Sequence, residues 1–339
     1  MLRVAINGYG RIGRSVLRAL YENGYRDDIQ VVAINELSDI ETISYLTRYD
    51  TTHGRFPKSV SSDGNTLVVG EDNILCFSEN SPAVLDWSSL NLDMIFECSG
   101  SFSDRQGAEA YLEAGAPRIL LSQPAAADVD ATIVYGFNHQ NIQCHDQIVS
   151  AASCTTNCLI PVLDVIKECA GVAHGMTQTI HSAMNDQPII DAYNTKDLRL
   201  TRAALSSIIP VDTGLAKGIT RMMPELEDKM GCNAVRVPTL NVSVIDLVIR
   251  TNVDVSAEQI NKQLKHAAST KYAGLMGFTE EAHASVDFNH DSRSVIVDGT
   301  QTQVIDKRMV KLMCWFDNEW GYANRMLDVA KYWAGLVEQ

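Results

Sequence analysis

A glycine-rich turn lies near the N-terminus of this chain, in the segment Gly8-Tyr9-Gly10-Arg11-Ile12-Gly13, and it limits the folds that the chain can adopt. The apolar run Leu2 to Asn7 comes before it, and Ile12, Val16 and Leu20 recur every four residues after it. This pattern predicts a turn that joins a strand to a helix. Its glycines, Gly8, Gly10 and Gly13, would let the backbone approach a pyrophosphate at the helix N-terminus.

Such a turn can also be a simple strand-to-helix connection, so a second feature is needed. Glu36 supplies it, because it ends the second predicted strand and lies 23 residues beyond Gly13. A carboxylate at this point accepts hydrogen bonds from adenosine ribose hydroxyls, although an acid can also simply begin a helix. The two features together predict a dinucleotide site, and the carboxylate favours NAD over NADP because it would repel a 2′-phosphate.

The first part of the chain alternates apolar runs with helical patterns, which is typical of βαβ units and a parallel sheet. A helix is predicted near Asp104 to Ala114. The predicted strands are Leu2 to Asn7, Ile29 to Asn35, Leu92 to Cys98, Arg118 to Ser122 and Ala131 to Tyr135. We therefore expect an α/β protein whose residues 1–152 form a Rossmann-like parallel-sheet domain that binds NAD.

The pattern changes in the second part. Met176 to Met184 and Ala234 to Val253 are long and alternate with period two, which favours an antiparallel sheet with one covered face. The stretch from Tyr193 to Pro224 is irregular, and loops of this length are often functional. We expect residues 153–318 to form an α+β catalytic domain with a mainly antiparallel sheet, and a C-terminal helix at 319–339 to join the first domain.

Composition excludes several classes of protein. The 339 residues include 28 Lys and Arg against 42 Asp and Glu, and a net charge of −14 argues against nucleic-acid or anionic-membrane partners. No apolar run approaches the ~18 residues of a membrane span, and charged residues interrupt the N-terminus where a signal peptide would be apolar. The eight cysteines lack disulfide or zinc spacing, and the histidines lack metal-ligand spacing. We expect a cytoplasmic protein with reduced thiols and no metal.

The candidate nucleophile is Cys154, in the segment Ser153-Cys154-Thr155-Thr156-Asn157-Cys158. This segment follows the predicted strand Ile148 to Ala151 and precedes an apolar helical run. A thiol at a helix N-terminus feels the positive end of the helix dipole, which predicts a lowered pKa. Cys158 lies one turn deeper, and we interpret it as a packing residue.

Other residues are less specific. His181 lies in a predicted strand, where a histidine is either structural or a base for the thiol. Arg236 also lies in an apolar strand, and its partner is either an internal carboxylate or a bound phosphate. Arg199 and Arg202 lie in the irregular stretch, which continues through Thr213-Gly214.

Several strings resemble the glyceraldehyde-3-phosphate dehydrogenase superfamily along nearly the whole chain: AINGYGRIGR, SAASCTTNCLIPV, HSAMNDQ, SIIPVDTGLAKGITR, AVRVPTLNVSVIDL and DNEWGYANRMLD. The resemblance implies that Cys154 attacks an aldehyde and that His181 activates the thiol. It implies a homotetramer. It also implies substrate contacts from Ser153, Thr155, Thr213, Gly214 and Arg236, and NAD contacts from Arg11, Ile12, Glu36, Ser122 and Asn318.

Within the superfamily, three features resemble the erythrose-4-phosphate dehydrogenase branch: AINELSD, SVDFNHDSRSVIVDGTQT, and Met184 in place of a phosphate-binding threonine. They imply oxidation of a small phosphorylated aldose, erythrose 4-phosphate, through a thioester that water hydrolyses, in pyridoxal 5′-phosphate synthesis. The alternatives are a phosphorylating glyceraldehyde-3-phosphate dehydrogenase and a non-catalytic NAD sensor or scaffold. Leu200 replaces one of two arginines that are common in relatives, so Arg199 is the candidate phosphate contact and Arg202 the alternative. Asn80 replaces an arginine near the expected adenine site.

Overall fold

A computed structural model describes residues 1–337 and divides them into two compact units. One unit comprises Met1–Ser153 together with the segment that begins at Ala323, and the other comprises Cys154–Tyr322. The first contains a mainly parallel sheet flanked by helices, and the second contains a mainly antiparallel sheet. The predicted fold class is therefore confirmed.

The N-terminal unit is built on a nine-stranded sheet in the order β10-β11-β9-β8-β1-β2-β7-β6-β5. The pairs from β10 through β7 are parallel, and the two pairs among β7, β6 and β5 are antiparallel. A small pair, β3 and β4, stands apart from it. The strands of this unit are β1 (Leu2–Asn7), β2 (Ile29–Asn35), β3 (Tyr49–Asp50), β4 (Gly54–Arg55), β5 (Val60–Asp63), β6 (Thr66–Val69), β7 (Asp72–Phe77), β8 (Met94–Glu97), β9 (Ile119–Leu121), β10 (Ala131–Thr132) and β11 (Ile148–Ser150).

Three helices accompany this sheet in the unit: α1 (Arg11–Glu22), α2 (Ile40–Arg48) and α3 (Arg105–Glu113). The first begins after Gly10 without a side-chain cap, whereas the other two begin at capping aspartates. The Asp39 and Asp104 side chains accept hydrogen bonds from the first turns of α2 and α3, which satisfies backbone donors that have no partner within the helix. The sheet and α3 close over a core in which Trp87, Ile95 and Tyr111 are fully buried.

Two parts of this unit differ from the predictions. The antiparallel strands β5 to β7 were not indicated, because their polar residues interrupt the alternation on which strand prediction depends. The predicted strand Ala131 to Tyr135 is wrong in length, since β10 comprises only two residues. The backbone N–H of Val134 instead donates to the Asn138 side chain, so this part of the segment forms a turn.

The second unit is built on an eight-stranded sheet in the order β13-β14-β12-β15-β19-β17-β16, with β18 pairing to β19. Only β12 with β14 and β16 with β17 are parallel pairs. The strands are β12 (His174–His181), β13 (Ile209–Val211), β14 (Met230–Arg236), β15 (Ser243–Arg250), β16 (Met276–Thr279), β17 (Val295–Asp298), β18 (Gln303–Ile305) and β19 (Met309–Phe316).

The predicted long strand Ala234 to Val253 is wrong, because the chain leaves the sheet between β14 and β15. Pro238 lacks a backbone donor, and Val242 adopts a positive φ of 63°. Leu240, which the alternation placed in the strand, is 61% exposed in this loop. The alternation therefore arises partly from loop residues, although Val244 does face the core.

The remaining helices are α4 (Cys154–Ala170), α5 (Leu215–Met222), α6 (Ala257–Ser269) and α7 (Trp320–Val337). Ser256 and Gln259 form the predicted capping box at α6. The irregular stretch Tyr193 to Pro224 contains β13 and α5, so its description as loop was wrong in part. Positions 338–339 of the predicted C-terminal helix lie outside the described residues.

Among the helices within residues 1–337, none is both long and apolar enough to cross a membrane.

Candidate active site and dinucleotide cleft

The first and third glycines of the N-terminal turn are required by close contacts. Gly8 has a φ of +84°, and a Cβ added there would lie 2.4 Å from the backbone nitrogen of Ser99. A Cβ on Gly13 would lie 2.2 Å from the carbonyl oxygen of Gly8. A Cβ on Gly10 would instead meet open space. The turn thus leaves room where a pyrophosphate would approach the N-terminus of α1.

Glu36 is tied to this turn. One oxygen of its carboxylate accepts from the backbone N–H of Tyr9 at 2.7 Å, and the other accepts from Leu37 N–H at 2.8 Å. Each carboxylate oxygen has a second lone pair, so acceptor capacity remains for a ligand hydroxyl. Arg11 directs its guanidinium at Asp50, so its backbone is the part of the residue that lies at the turn.

Polar side chains cluster where β1, β2 and β8 end, the edge at which parallel sheets bind ligands. Asn35 donates to the Asn7 side chain at 2.8 Å, and Asn7 donates to Glu97 at 2.8 Å. Burial raises the pKa of the Glu97 carboxyl. A cleft of about 310 Å³ opens here, lined by Asn7, Gly8, Gly10, Asn35, Glu36, Leu37, Glu79, Asn80, Cys98, Ser99, Ser101 and Phe102.

The other predicted cofactor residues are distributed more widely. Ile12 lies in the first turn of α1, and Ser122 follows β9, where its backbone N–H donates to the Glu97 carbonyl. Arg11, Ile12, Gly13 and Ser122 are not among the residues that line the cleft, whereas Asn80 is. The open position at Gly10 and the carboxylate of Glu36 in one cleft fit the pyrophosphate and ribose of NAD.

Cys154 is the first residue of α4. Two residues earlier, Ala152 is buried with a positive φ of 58°, an uncommon conformation for a residue with a Cβ and one that often marks functional sites. Ser153 and Thr155 flank the thiol in the chain, so their predicted substrate contacts would lie beside it.

His181 ends β12 and places its Nε2 4.0 Å from the Cys154 Sγ. Its other ring nitrogen, Nδ1, lies 2.8 Å from the Ser182 carbonyl oxygen. Because a carbonyl can only accept, Nδ1 must carry the proton, and in the neutral ring Nε2 then presents a lone pair to the thiol. This is the tautomer that a general base requires.

The predicted lowering of the Cys154 pKa is wrong for this structure. Burial raises the pKa of the thiol to about 12, and the nearby charges of Asp317 and Glu319 act in the same direction. Backbone N–H groups of the first turn of α4 do lower it, but by less than burial raises it. Burial also lowers the pKa of His181, so both groups are neutral at pH 7 and the thiol depends on its base.

Ser182 is fully buried and connects His181 to Asn318, which the resemblance predicts to contact NAD. Its hydroxyl donates to the Asn318 side-chain oxygen at 3.0 Å, and the Ser243 hydroxyl donates to the same oxygen at 2.8 Å. The Ser243 oxygen also accepts from the Ser182 backbone N–H. With its oxygen accepting from these two hydroxyls, the Asn318 amide has its NH₂ group as the end for a ligand.

Arg236 lies beside His181, because β12 and β14 pair in parallel with these two residues in register. The carboxylate of Asp186 forms an ion pair with its guanidinium. Between the two partners that the sequence left open, the structure therefore shows an internal carboxylate. Thr213 accepts from the Leu215 N–H, and Gly214 caps α5.

Arg199 and Arg202, the two phosphate-contact candidates in the irregular stretch, are exposed. Arg202 pairs with Asp191 at 3.4 Å, and both side chains are more than half exposed. Arg199 lies in a short 3₁₀ turn. The choice between them as a phosphate contact stays a prediction.

No sequence pattern indicated Ser182, Ser243, Asp186 or Glu97. Each is separated in sequence from the groups that it contacts, or acts through a backbone atom that every residue has. Across residues 1–337 no group of three His, Cys, Asp or Glu side chains is arranged to hold a metal ion.

Two family models match this chain. The NAD binding domain of glyceraldehyde 3-phosphate dehydrogenase matches residues 2–105. The C-terminal domain of glyceraldehyde 3-phosphate dehydrogenase matches residues 153–318. The first match confirms NAD as the cofactor.

Proposed function

The chain belongs to the glyceraldehyde 3-phosphate dehydrogenase family, and we propose that this NAD-dependent oxidoreductase converts D-erythrose 4-phosphate to 4-phospho-D-erythronate. The observation that carries the proposal is the pair formed by Cys154 and His181, with the histidine held in the tautomer that can accept the thiol proton. A scaffold that only binds NAD has no need of such a pair.

The reaction begins when His181 Nε2 takes the thiol proton and the Cys154 sulfur bonds to the aldehyde carbon. The proton then goes to the former carbonyl oxygen, giving a thiohemiacetal. Backbone N–H groups at the start of α4, with Ser153 and Thr155 beside them, stabilise negative charge on that oxygen. The raised pKa of the thiol makes this transfer dependent on His181 rather than on a resident thiolate.

When bound, NAD⁺ would supply the chemistry of a hydride acceptor for the substrate carbon. As the hydride leaves, His181 takes the hydroxyl proton, and the carbon becomes a thioester on Cys154. Water then attacks this carbon, the C–S bond breaks, and the thiol recovers a proton as the carboxylic acid departs. Asn318, whose NH₂ end is the available one, is proposed to donate to the cofactor.

The four-carbon substrate is supported by the AINELSD string, which begins in the last residues of β2. Met184, in the loop after His181, argues against the phosphorylating candidate, because a thioether offers no donor for the oxygen of an inorganic phosphate. Met184 is 47% exposed, so its side chain is accessible in this loop.

A phosphorylating glyceraldehyde-3-phosphate dehydrogenase is the second candidate, favoured by the description of both matching family models. In that enzyme inorganic phosphate, rather than water, attacks the same thioester. The two candidates share Cys154 and His181, and they differ in the aldose and in the final nucleophile.

We further propose that residues 1–152 with the C-terminal helix form the NAD-binding domain and that residues 153–318 form the catalytic domain. A homotetramer in the cytoplasm, serving pyridoxal 5′-phosphate synthesis, follows from the family resemblance.

NADH formation separates the candidates. The assay uses erythrose 4-phosphate or glyceraldehyde 3-phosphate, each with and without inorganic phosphate. Faster turnover of the four-carbon sugar without phosphate is the expected result. Phosphate-dependent turnover of the three-carbon sugar, with slow use of erythrose 4-phosphate, would assign the second candidate.

A further inference from the structure

The side chain of Glu97 is fully buried at the end of β8, and the proposed reaction gives it no role. One carboxylate oxygen accepts from the Asn7 side chain and from the Tyr111 hydroxyl. The other accepts from the backbone N–H and the hydroxyl of Ser99. Four donors fill the lone pairs of an ionised carboxylate, so these contacts favour the charged form of Glu97.

This charge has no cationic partner in the unit. Among residues 1–337, no lysine, arginine or histidine is paired with Glu97, and its hydrogen bonds come from neutral groups. Burial raises the pKa of Tyr111 and of Cys98, the titratable groups beside Glu97, so both stay neutral at pH 7. Because burying an unpaired charge is costly, the carboxylate points to a cation that arrives with a ligand.

Glu97 lies directly behind the wall of the dinucleotide cleft. Its hydrogen-bond partners Asn7 and Ser99 both line the cleft. Ser99 also packs on the glycine turn, since a Cβ on Gly8 would lie 2.4 Å from its backbone nitrogen. The charge of Glu97 therefore acts on a ligand through protein, which screens it less than water would.

The order of the strands indicates which half of the dinucleotide comes nearest to this charge. Strand β1 pairs with β2 on one side and with β8 on the other. With the adenosine ribose at Glu36, after β2, and the pyrophosphate at the turn after β1, the nicotinamide half would extend to the side of β8. Glu97 is the last residue of β8.

We propose that Glu97 is a specificity-determining residue that makes the cleft favour the oxidised cofactor, NAD⁺, over NADH. The two forms share the adenine, both riboses and the pyrophosphate, but only the oxidised nicotinamide ring carries a positive charge. An anion behind that half attracts NAD⁺ and does not attract NADH, so it also favours departure of the reduced product. The inference rests on the proposed function only for its cofactor and requires no aldose.

The first experiment measures the affinities of NAD⁺, NADH and ADP-ribose by calorimetry, without any aldehyde. Glu97→Gln removes the charge and keeps the size of the side chain, and Asn7 keeps the Tyr111 hydroxyl as an acceptor at 2.8 Å. NAD⁺ should bind this variant about fivefold or more weakly than it binds the wild type. NADH should bind as tightly as before or more tightly, and so should ADP-ribose, which has no nicotinamide ring.

Glu113→Gln is the matched control, because it neutralises an exposed glutamate at the end of α3 in the same unit. Its affinities for the three ligands should be those of the wild type. An equal loss of affinity for all three ligands in Glu97→Gln would overturn the proposal, because Glu97 would then only shape the cleft. An unchanged ratio of NAD⁺ to NADH affinity would overturn it as well.

The second experiment uses the wild type and does not depend on the folding of a variant. Burial raises the pKa of Glu97 above its ordinary 4.5, so at pH 4.5 more than half of this carboxyl is protonated in the folded protein. The ratio of NAD⁺ to NADH affinity should therefore fall between pH 7 and pH 4.5, and contacts to the shared parts of the two ligands cancel in this ratio. Rapid mixing allows the measurement before NADH decomposes in acid.

A ratio that stays constant over this range would overturn the proposal. So would the same decline of the ratio in Glu97→Gln, because another group would then be responsible. Failure of the wild type to oxidise erythrose 4-phosphate would overturn the proposed aldose alone, because both binding experiments are made without it.

Discussion

The glycine turn of the N-terminal unit and the thiol site of the second unit show two ways of building a functional site. The turn uses six consecutive residues, and its shape follows from contacts such as that between Gly13 and the Gly8 carbonyl. The thiol site draws Cys154, His181, Arg236 and Asn318 from separate segments. Helix α4 and the ends of β12 and β14 determine where the first three lie.

The contrast between the two sites predicts which substitutions damage the fold and which damage only the chemistry. In the turn, Gly13 is needed for packing and Gly10 leaves room for a ligand. Substitution of Gly13 should therefore affect folding, and substitution of Gly10 should affect binding. In the thiol site, the reacting atoms are supported by a sheet that does not depend on them. Removal of a reacting group there should therefore leave stability almost unchanged.

The largest effect is expected from Cys154→Ser. A serine hydroxyl is a much weaker nucleophile than a thiol, so NADH formation should fall below detection. NAD affinity, measured by calorimetry, should remain that of the wild type. Cys169→Ser is the matched control, because Cys169 is exposed near the other end of α4. Turnover near the wild-type rate in Cys154→Ser would refute the covalent mechanism.

His181→Asn should lower kcat by ~10²- to 10⁴-fold, the contribution of a general base. In the wild type, alkylation of Cys154 should persist as pH falls to 6.5, because burial lowers the pKa of His181 from its ordinary 6.5 and keeps it neutral there. Below that folded pKa the protonated ring cannot accept the thiol proton, and the rate should decline.

In His181→Asn this acid limb should disappear, and alkylation should rise with pH as hydroxide ionises a thiol whose pKa is about 12. Peptide mass spectrometry can follow Cys154 separately from the other cysteines. His174→Asn, at the exposed start of the same strand, is the control. If the pH dependence of Cys154 alkylation in His181→Asn matched that of the wild type, His181 would have a structural role and would not act as the base.

Gly13→Ala and Gly10→Ala test the turn as a pair. The alanine Cβ at position 13 would press on the Gly8 carbonyl, and we expect a loss of about 1–3 kcal/mol in the free energy of unfolding. At position 10 the Cβ has room, so stability should change by less than about 1 kcal/mol while NAD affinity falls. Denaturant melts and calorimetry measure the two effects, and an unstable Gly10→Ala with normal NAD affinity would contradict this division.

The same contrast explains how much the sequence could predict. The bounds of β1 and β2 agree with the predicted strands because each is a continuous apolar run bounded by turn residues. The glycine turn with Glu36 was found because its chemistry lies within one βαβ unit. The NAD prediction followed from these local signals.

Other features depend on atoms that no local pattern describes. The ion-pair partner of Arg236 is Asp186, which only the folded loop after His181 brings to it. The pKa of Cys154 was predicted in the wrong direction because the sequence shows the helix N-terminus but not the depth of burial. The loop between β14 and β15 was taken for strand because alternation does not reveal a positive φ at Val242.

The smallest predicted effect concerns the two hydroxyls on Asn318. Ser182→Ala removes one of the two donors to its side-chain oxygen, and one net hydrogen bond is worth about 1 kcal/mol, so NAD affinity should fall roughly fivefold. In the Asn318→Ala background the same substitution should change nothing further, because the orientation of an absent amide has no effect. Ser269→Ala, on the exposed end of α6, controls for loss of a serine hydroxyl. Additive losses of NAD affinity in the double variant would mean that Ser182 affects NAD binding by a route other than the Asn318 amide. The thiol site would then depend on residues around its reacting groups more broadly than the glycine turn does.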